Sequence, residues 1–394
     1  MTYPALHVPA SIVVGGGCRR EVANLLIRYG VRRPLVVTDR GVCQLEVVDD
    51  VLECCRHSGL APVLFTDVQP DPTDTNVLAG LERLRSERCD GVVAVGGGSP
   101  IDAAKAIAVL ATNAGPLEHY AGYHKVPHAG LPLIAIPTTA GTGSEVTRVA
   151  VITDTHRQVK MMILSVYMTP TAALVDYEST LTMPPALTAA VGIDTLTHGI
   201  EAYVSRRAHG LTDPLALACV SHVTRHLHTA CRQPDQREAR AGMMLAACLG
   251  GMAFANASVC LVHGMSRPLG ALYHVPHGLS NAMLLPIVTG YSLSAAPQRY
   301  AELSRLLEFV PPQADDAAAL EALVPGLERW NAELGIPRLR DYFRGVDEAS
   351  FDASLPKMAD DALASGSPQN NPRVPTAEEI VALYRAAFAD SRGA

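Results

Sequence analysis

Four side chains in the second half of the chain have the types and spacing of a metal site. Asp194 and His198 stand four apart within GIDTLTHGIEAYVS, and on a helix that spacing stacks both side chains on one face. Downstream, His263 and His277 bracket GMSRPLGALYHVP. Three imidazoles and one carboxylate form a borderline-soft donor set suited to Fe(II), Zn(II), Co(II) or Mn(II). Their neighbours in sequence are otherwise apolar, where an unpaired polar group is costly. One such histidine would read as an ordinary core residue; the four together read as ligands. Glu201, three residues after His198, is placed to support a ligating imidazole from behind. His274 either lines the same pocket or stacks near Pro276. A decoy lies at His222, His226 and His228, which include a four-residue spacing but have no carboxylate on that face and Arg225 beside them. That pattern reads as a solvated helix face.

A second set of residues suits a diphosphate. In DGVVAVGGGSPIDAAKAIAVL a buried strand runs into Gly96, Gly97, Gly98 and Ser99, and a helix opens near Pro100. Glycines let a phosphate approach the backbone, and a helix start offers free N–H groups and a favourable dipole. Ser99 can cap that helix, and Asp102 is placed in its first turn. A rival loop, VVGGGCRR, also follows a strand, but Arg20 stands where the third glycine of a Rossmann fingerprint belongs. Asp39 closes the strand PLVVTD, where a carboxylate can accept from a ribose 2′-hydroxyl and would repel a 2′-phosphate. This favours NAD over NADP, with ordinary helix capping as the alternative role. The hydroxyl-rich PTTAGTGSEVT (137–147) offers a further contact for cofactor phosphates or nicotinamide.

These residues need elements to position them. SIVVGGG, PLVVTD, PVLFTD, DGVVAVGGGS and LPLIAIPTT read as strands, with a further pair at 149–165. Apolar strands alternating with amphipathic helices predict an α/β domain, a parallel sheet with helices on both faces. After Pro184–Pro185 the strand signals stop and the chain reads as all-α to its end. The expected division is therefore 1–182, an α/β dinucleotide-binding domain, and 183–394, a helical domain carrying the metal ligands. The length of 394 residues suits two such domains.

Composition narrows the partners. Hydrophobic residues make up 48% and charged ones 18%, so the chain is neither disordered nor fibrous. Its net charge of −7 and lack of basic runs argue against nucleic acid. Nine scattered cysteines without a CxxC read as reduced thiols in a cytoplasmic protein. The N-terminus lacks the pattern of a secretory leader. Residues 241–262 carry no charge and are long enough for a membrane. Asn256, Ser258 and three glycines within them favour a buried core helix, so no membrane association is expected.

Together, GGGSPIDAAK, PTTAGTGSEVT, GIDTLTHGIEAYVS, VHGMSRPLGALYHVPHGLSNAMLLP and the NPR at 371–373 resemble the iron-containing (group III) alcohol dehydrogenases, in order and over nearly the whole chain. The resemblance implies a dehydroquinate-synthase-like fold with a cleft between the two domains, and a dimer or larger homo-oligomer. It implies Gly97, Gly98 and Ser99 at the pyrophosphate and Asp39 at the adenosine ribose. Asp102, Thr138, Thr139, Ser144 and Lys160 match positions lining the cofactor cleft. Asp194, His198, His263 and His277 match the metal ligands, with Fe(II) the first expectation and Zn(II) the second. One branch, the maleylacetate reductases, lacks the aspartate and works without metal; Asp194 argues against that branch.

The implied activity is reversible, NAD-dependent hydride exchange between a small primary alcohol and its aldehyde. The alternatives on the same fold are a lyase or cyclase and a hydroxyacid–oxoacid transhydrogenase. At one position the chain departs from the family pattern: a histidine usual four residues after the third ligand is replaced by Arg267. A guanidinium is a poor proton relay but binds carboxylates in a fork, so Arg267 is expected to favour an anionic substrate. The proton then leaves through a ribose hydroxyl, water or His274. Asp102, Arg267 and His274 are the candidate catalytic residues.

Overall fold

The computed structural model describes residues 3–389. They form two compact units, one of residues His7–Thr182 and one made almost entirely of the residues that follow.

The first unit is built on a six-stranded sheet. Its strands are β1 (Ser11–Val14), β2 (Pro34–Asp39), β3 (Val63–Val68), β4 (Gly91–Gly96), β6 (Leu133–Pro137) and β9 (Ala172–Val175), in the order β1-β9-β6-β4-β2-β3, all parallel. Alternate residues feed opposite faces. Leu35, Val37, Val92 and Ala94 face one core with Ala103 and Ile107, while Val36, Val93 and Val95 face another with Leu26 and Val48. Both faces are thus covered, as the apolar strands predict. Helices α1 (Val22–Arg28), α2 (Glu46–His57), α3 (Asp74–Ser86) and α4 (Gly98–Leu110) supply the cover. The β2-to-β3 connection runs one way along the sheet and β4-to-β6 the other, so the chain reverses direction between β2 and β4. In parallel sheets the carboxyl ends of such strands are where ligands bind. Asp39 ends one of these strands and Gly96 the other.

A small second sheet has the order β5-β8-β7, formed by β5 (Gly122–Tyr123), β7 (Val149–Asp154) and β8 (Val159–Leu164). The hairpin β7–β8 is antiparallel and lies against α4. This explains why α4 is buried almost all round rather than along one stripe.

The second unit is helical. Its site-bearing helices are α5 (Pro185–Val204), α6 (Asp213–Arg232), α7 (Arg237–Ala257), α8 (Leu261–Tyr273) and α9 (His277–Ser292). Proline at the first position starts α5, where its missing N–H costs nothing. Small residues let α5, α6 and α7 approach closely: a Cβ on Gly192 would lie 2.2 Å from Leu227 Cδ1, and one on Gly250 2.9 Å from Cys219 Sγ. The long uncharged stretch is a buried helix followed by a sharp corner. Helices α7 and α8 meet at 102°, and among the described residues no single helix is long and apolar enough to cross a membrane. All nine cysteines are free thiols.

Two local expectations need correcting. Helix α4 begins at Gly98, so Gly97 is the capping residue, Ser99 lies inside the first turn and Asp102 lies beyond it. Gly97 is extended (ψ −159°), and the helix opens directly after it, two residues earlier than Pro100 suggests. The decoy histidines are half-buried rather than solvated. His226 packs where a Cβ on Gly242 would lie, and His228 meets Trp330 and Glu333 of a later helix.

Candidate functional site

Asp194, His263 and His277 come together, their potential ligand atoms all lying within 4.8 Å of one another. Asp194 Oδ1 is 3.6 Å from His263 Nε2 and 3.8 Å from His198 Nε2. His198 flanks the group, its ring stacked on Phe254 at 4.2 Å and on His263 at 4.8 Å. Asp194, His198 and His263 are buried. His277 is more open than its sequence context suggests, because it is the first residue of α9.

The local folding explains the convergence. Asp194 and His198 share one face of α5, as their spacing requires. His263 is brought over that face by the corner after α7, where Ser258 adopts φ 71°. Glu201, also on α5, receives the returning chain: its carboxylate accepts from Cys260 N at 2.8 Å, from Val262 N at 2.6 Å and from His263 Nδ1 at 2.6 Å. One buried carboxylate therefore caps the start of α8 and orients the imidazole. His277 arrives through close contact of α9 with α5, since a Cβ on Gly278 would lie 2.9 Å from Ala190 O and 3.4 Å from Asp194 Cβ. We expect Gly278→Ala to force these helices apart, costing about 1–3 kcal/mol and weakening metal binding. Urea denaturation with a metal titration tests this; unchanged values in both would contradict the packing argument.

The tautomers favour ligation. With His263 Nδ1 donating to Glu201, its Nε2 carries a lone pair toward Asp194. His277 Nδ1 is 3.2 Å from Ser266 Oγ, which likewise frees Nε2. The protein packed around the His277 ring outweighs the pull of Asp194, and the nearby histidines and the Arg267 charge act in the same direction, lowering its pKa. A neutral imidazole is the ligating form. The same influence places the Arg267 charge near His277. Arg267 is half-buried, one helical turn after His263 on α8.

One contributor escapes the sequence reading. Asn281, one turn after His277 on α9, is fully buried. Its Nδ2 lies 2.7 Å from Asp194 Oδ1, 3.1 Å from His263 Nε2 and 3.2 Å from His277 Nε2. An amide nitrogen has two hydrogens for these three acceptors, while Asn281 Oδ1 has no hydrogen-bond partner. The surplus of acceptors, and the borderline-soft nature of the donors, fit a divalent cation. The four-residue spacing from His277 was the available signal.

His274 stands apart from this gathering. It ends α8 in the left-handed conformation (φ 55°), donating its N–H to Gly270 O, and it is solvent-exposed.

The first unit assembles the cofactor candidates. Gly97 and Gly98 open α4, whose first N–H groups have no acceptor within the helix. Thr138 N donates to Gly96 O at 3.0 Å, tying the two loops together. Thr139 lies beside Gly97, 3.5 Å from where a Cβ would be, and its buried Oγ1 has no partner. A glycine cradle and an orphaned hydroxyl at strand ends fit an incoming diphosphate. Asp39 Oδ1 accepts from Gly41 N and Val42 N at 2.8 Å, so one of its oxygens caps the turn after β2. Asp102 accepts from Ser144 Oγ at 2.6 Å and from Val151 N at 2.9 Å. Lys105 Nζ donates to Ser144 Oγ, Thr147 Oγ1 and Val149 O. These bonds fasten α4 to the 137–147 loop. Burial pushes Lys105 down to about 8, against the pull of Asp102 and Glu145, and raises Glu145 to about 7, against its backbone bond and Lys105. Lys160, on β8, pairs with Asp71 at 2.6 Å.

Comparisons with known proteins agree across the length of the chain. The profile of the iron-containing alcohol dehydrogenases matches residues 9–177, and that of the C-terminal part of the Fe-containing alcohol dehydrogenase family matches residues 188–388. The 1,3-propanediol dehydrogenase of Klebsiella pneumoniae is 41% identical over 362 residues, 91% of this chain and 92% of that protein. The NAD-dependent methanol dehydrogenase of Bacillus methanolicus is 37% identical over 382 residues, 97% of this chain and 99% of that protein. A solved 1,3-propanediol oxidoreductase superposes with a TM-score of 0.95 at 38% identity, covering 98% of this chain and all of that one.

Proposed function

The chain belongs to the iron-containing alcohol dehydrogenases, and on that premise we propose which of its residues carry the exchange of hydride between an alcohol and NAD. The observation that carries the reading is the convergence of Asp194 Oδ1 with the Nε2 lone pairs of His263 and His277. These three and His198 hold one divalent ion, Fe(II) first and Zn(II) second. When bound, the ion supplies Lewis acidity at the substrate oxygen and NAD supplies or accepts the hydride.

The chain's own residues do the positioning. Glu201 and Ser266 hold the two imidazoles in the ligating tautomer. Gly97, Gly98 and Ser99 receive the diphosphate on the start of α4, and Thr138 and Thr139 border them. The remaining oxygen of Asp39 accepts from the adenosine ribose and excludes a 2′-phosphate. Asp102 and Ser144 act by fastening α4 to the 137–147 loop, and Lys160 stands on the neighbouring hairpin.

Arg267 directs the substrate class toward small aldehydes carrying a carboxylate. Its charge near His277 supports this, and a charge-assisted hydrogen bond is worth about 1.5–3 kcal/mol. Arg267→Leu is therefore expected to raise KM for a carboxylate-bearing aldehyde about 10–100-fold and to leave KM for a neutral aldehyde of equal length unchanged. Equal KM values for both substrates in wild type and variant would remove the idea. The broader reading is tested by NADH absorbance with metal-stripped protein, before and after adding Fe(II) or Zn(II). Metal-dependent loss of NADH with an aldehyde supports it; equal rates without metal overturn it.

The chain is read as a cytoplasmic homo-oligomer, a dimer or larger. Strand β1 lies at the sheet edge with Val14 half exposed, and an unpaired edge is a ready pairing surface. Light scattering at the monomer mass would contradict this.

A further inference from the structure

We propose that Asn281 is a positioning residue of the metal site, holding Asp194 in the orientation that binds the ion. The proposal rests on the reading that Asp194, His263 and His277 are ligands. Asn281 Nδ2 touches the metal-facing atom of each. The shortest contact, 2.7 Å, is to the carboxylate, and a neutral donor on an anion makes the strongest bond of the set. A carboxylate oxygen carries more than one lone pair and serves an ion and an amide together. An imidazole Nε2 carries only one, which goes to the ion. With the ion bound, the amide thus keeps its bond to Asp194 and yields the two imidazoles.

The arrangement has a cost that points the same way. Asn281 is fully buried and its Oδ1 has no partner, which disfavours the fold. A residue kept only for packing would be better apolar. The amide places a partial positive charge beside a buried anion and two imidazole lone pairs that repel one another. It also stands on the same helix as His277, so one rigid element fixes a ligand and the group that orients another ligand.

The test is the Zn(II) affinity of the full chain, measured by competition with a chromogenic chelator, together with the visible spectrum of the Co(II)-loaded protein. Asn281→Ala removes the amide, Asn281→Leu replaces it with an apolar group of similar volume, and Asp194→Ala is the control. Both Asn281 variants are expected to bind Zn(II) about 10–100-fold more weakly and to shift the Co(II) bands. Either variant suffices if the other fails to fold. Affinity within threefold of wild type and an unchanged Co(II) spectrum, with Asp194→Ala unable to bind, would overturn the role of Asn281 and leave the ligand reading standing. Binding by Asp194→Ala equal to wild type would overturn both.

Discussion

Asp194→Ala is expected to leave the chain folded, without tightly held metal, and at least about a thousandfold slower. Asp194 is the only anion among the three groups whose ligand atoms converge. It lies 2% exposed, where little water screens its charge. Without it, three neutral imidazoles face a cation with no anion among its ligands, the nearest carboxylate, Glu201, lying behind His263. The Lewis-acid contribution at stake is several kcal/mol, and each 1.36 kcal/mol is a factor of ten in rate. Asp194→Asn separates charge from shape: it keeps the volume and loses the anion, and it is expected to behave like the alanine variant. Metal content per chain, measured beside kcat, decides. Full metal content with kcat within tenfold of wild type would show that the carboxylate is not a ligand.

Glu201→Ala is expected to be the most destabilising change in the site. Its carboxylate satisfies two backbone N–H groups at the start of α8 and the His263 ring. All of these are buried, and a buried donor left unpaired costs about 1–3 kcal/mol. Losing one side of such a network costs about 3–5 kcal/mol, enough to lower the urea midpoint visibly. Glu201→Gln retains one acceptor but turns an NH2 toward donors, so an intermediate loss is expected. Both variants free His263 to change tautomer, and metal affinity should fall about 10–100-fold. A loss of less than 1 kcal/mol in Glu201→Ala would mean that water or another group takes over these bonds.

Much of this architecture is legible in the sequence because strand and helix periods are local. Runs such as PLVVTD and DGVVAVG declare buried parallel strands by composition alone, and they end on the two residues, Asp39 and Gly96, that flank the chain reversal. β9 carries no such mark, since AALV is short, small and without alternation; only its place between β1 and β6 makes it a strand. The spacing of Asp194 and His198 revealed one half of the metal site. The other half depends on a corner of 102° between α7 and α8, which no local pattern encodes. For that reason Glu201 reads in sequence as a partner of His198, three residues before it, whereas the folded chain sets it against His263. Asn281 carried the right spacing from His277, but its importance arises only when Gly278 lets α9 settle on α5. Side chains within one element are readable; the groups that join elements are not.

The central claim is that this donor set enables direct hydride exchange with NAD. The most direct measurement follows deuterium from a primary alcohol labelled at its carbinol carbon into NAD+, using metal-loaded wild type, metal-stripped wild type and Asp194→Ala. The account predicts deuterated NADH from the metal-loaded wild type alone. Deuterium transfer at equal rates in all three, or NADH formed without the label, would contradict it.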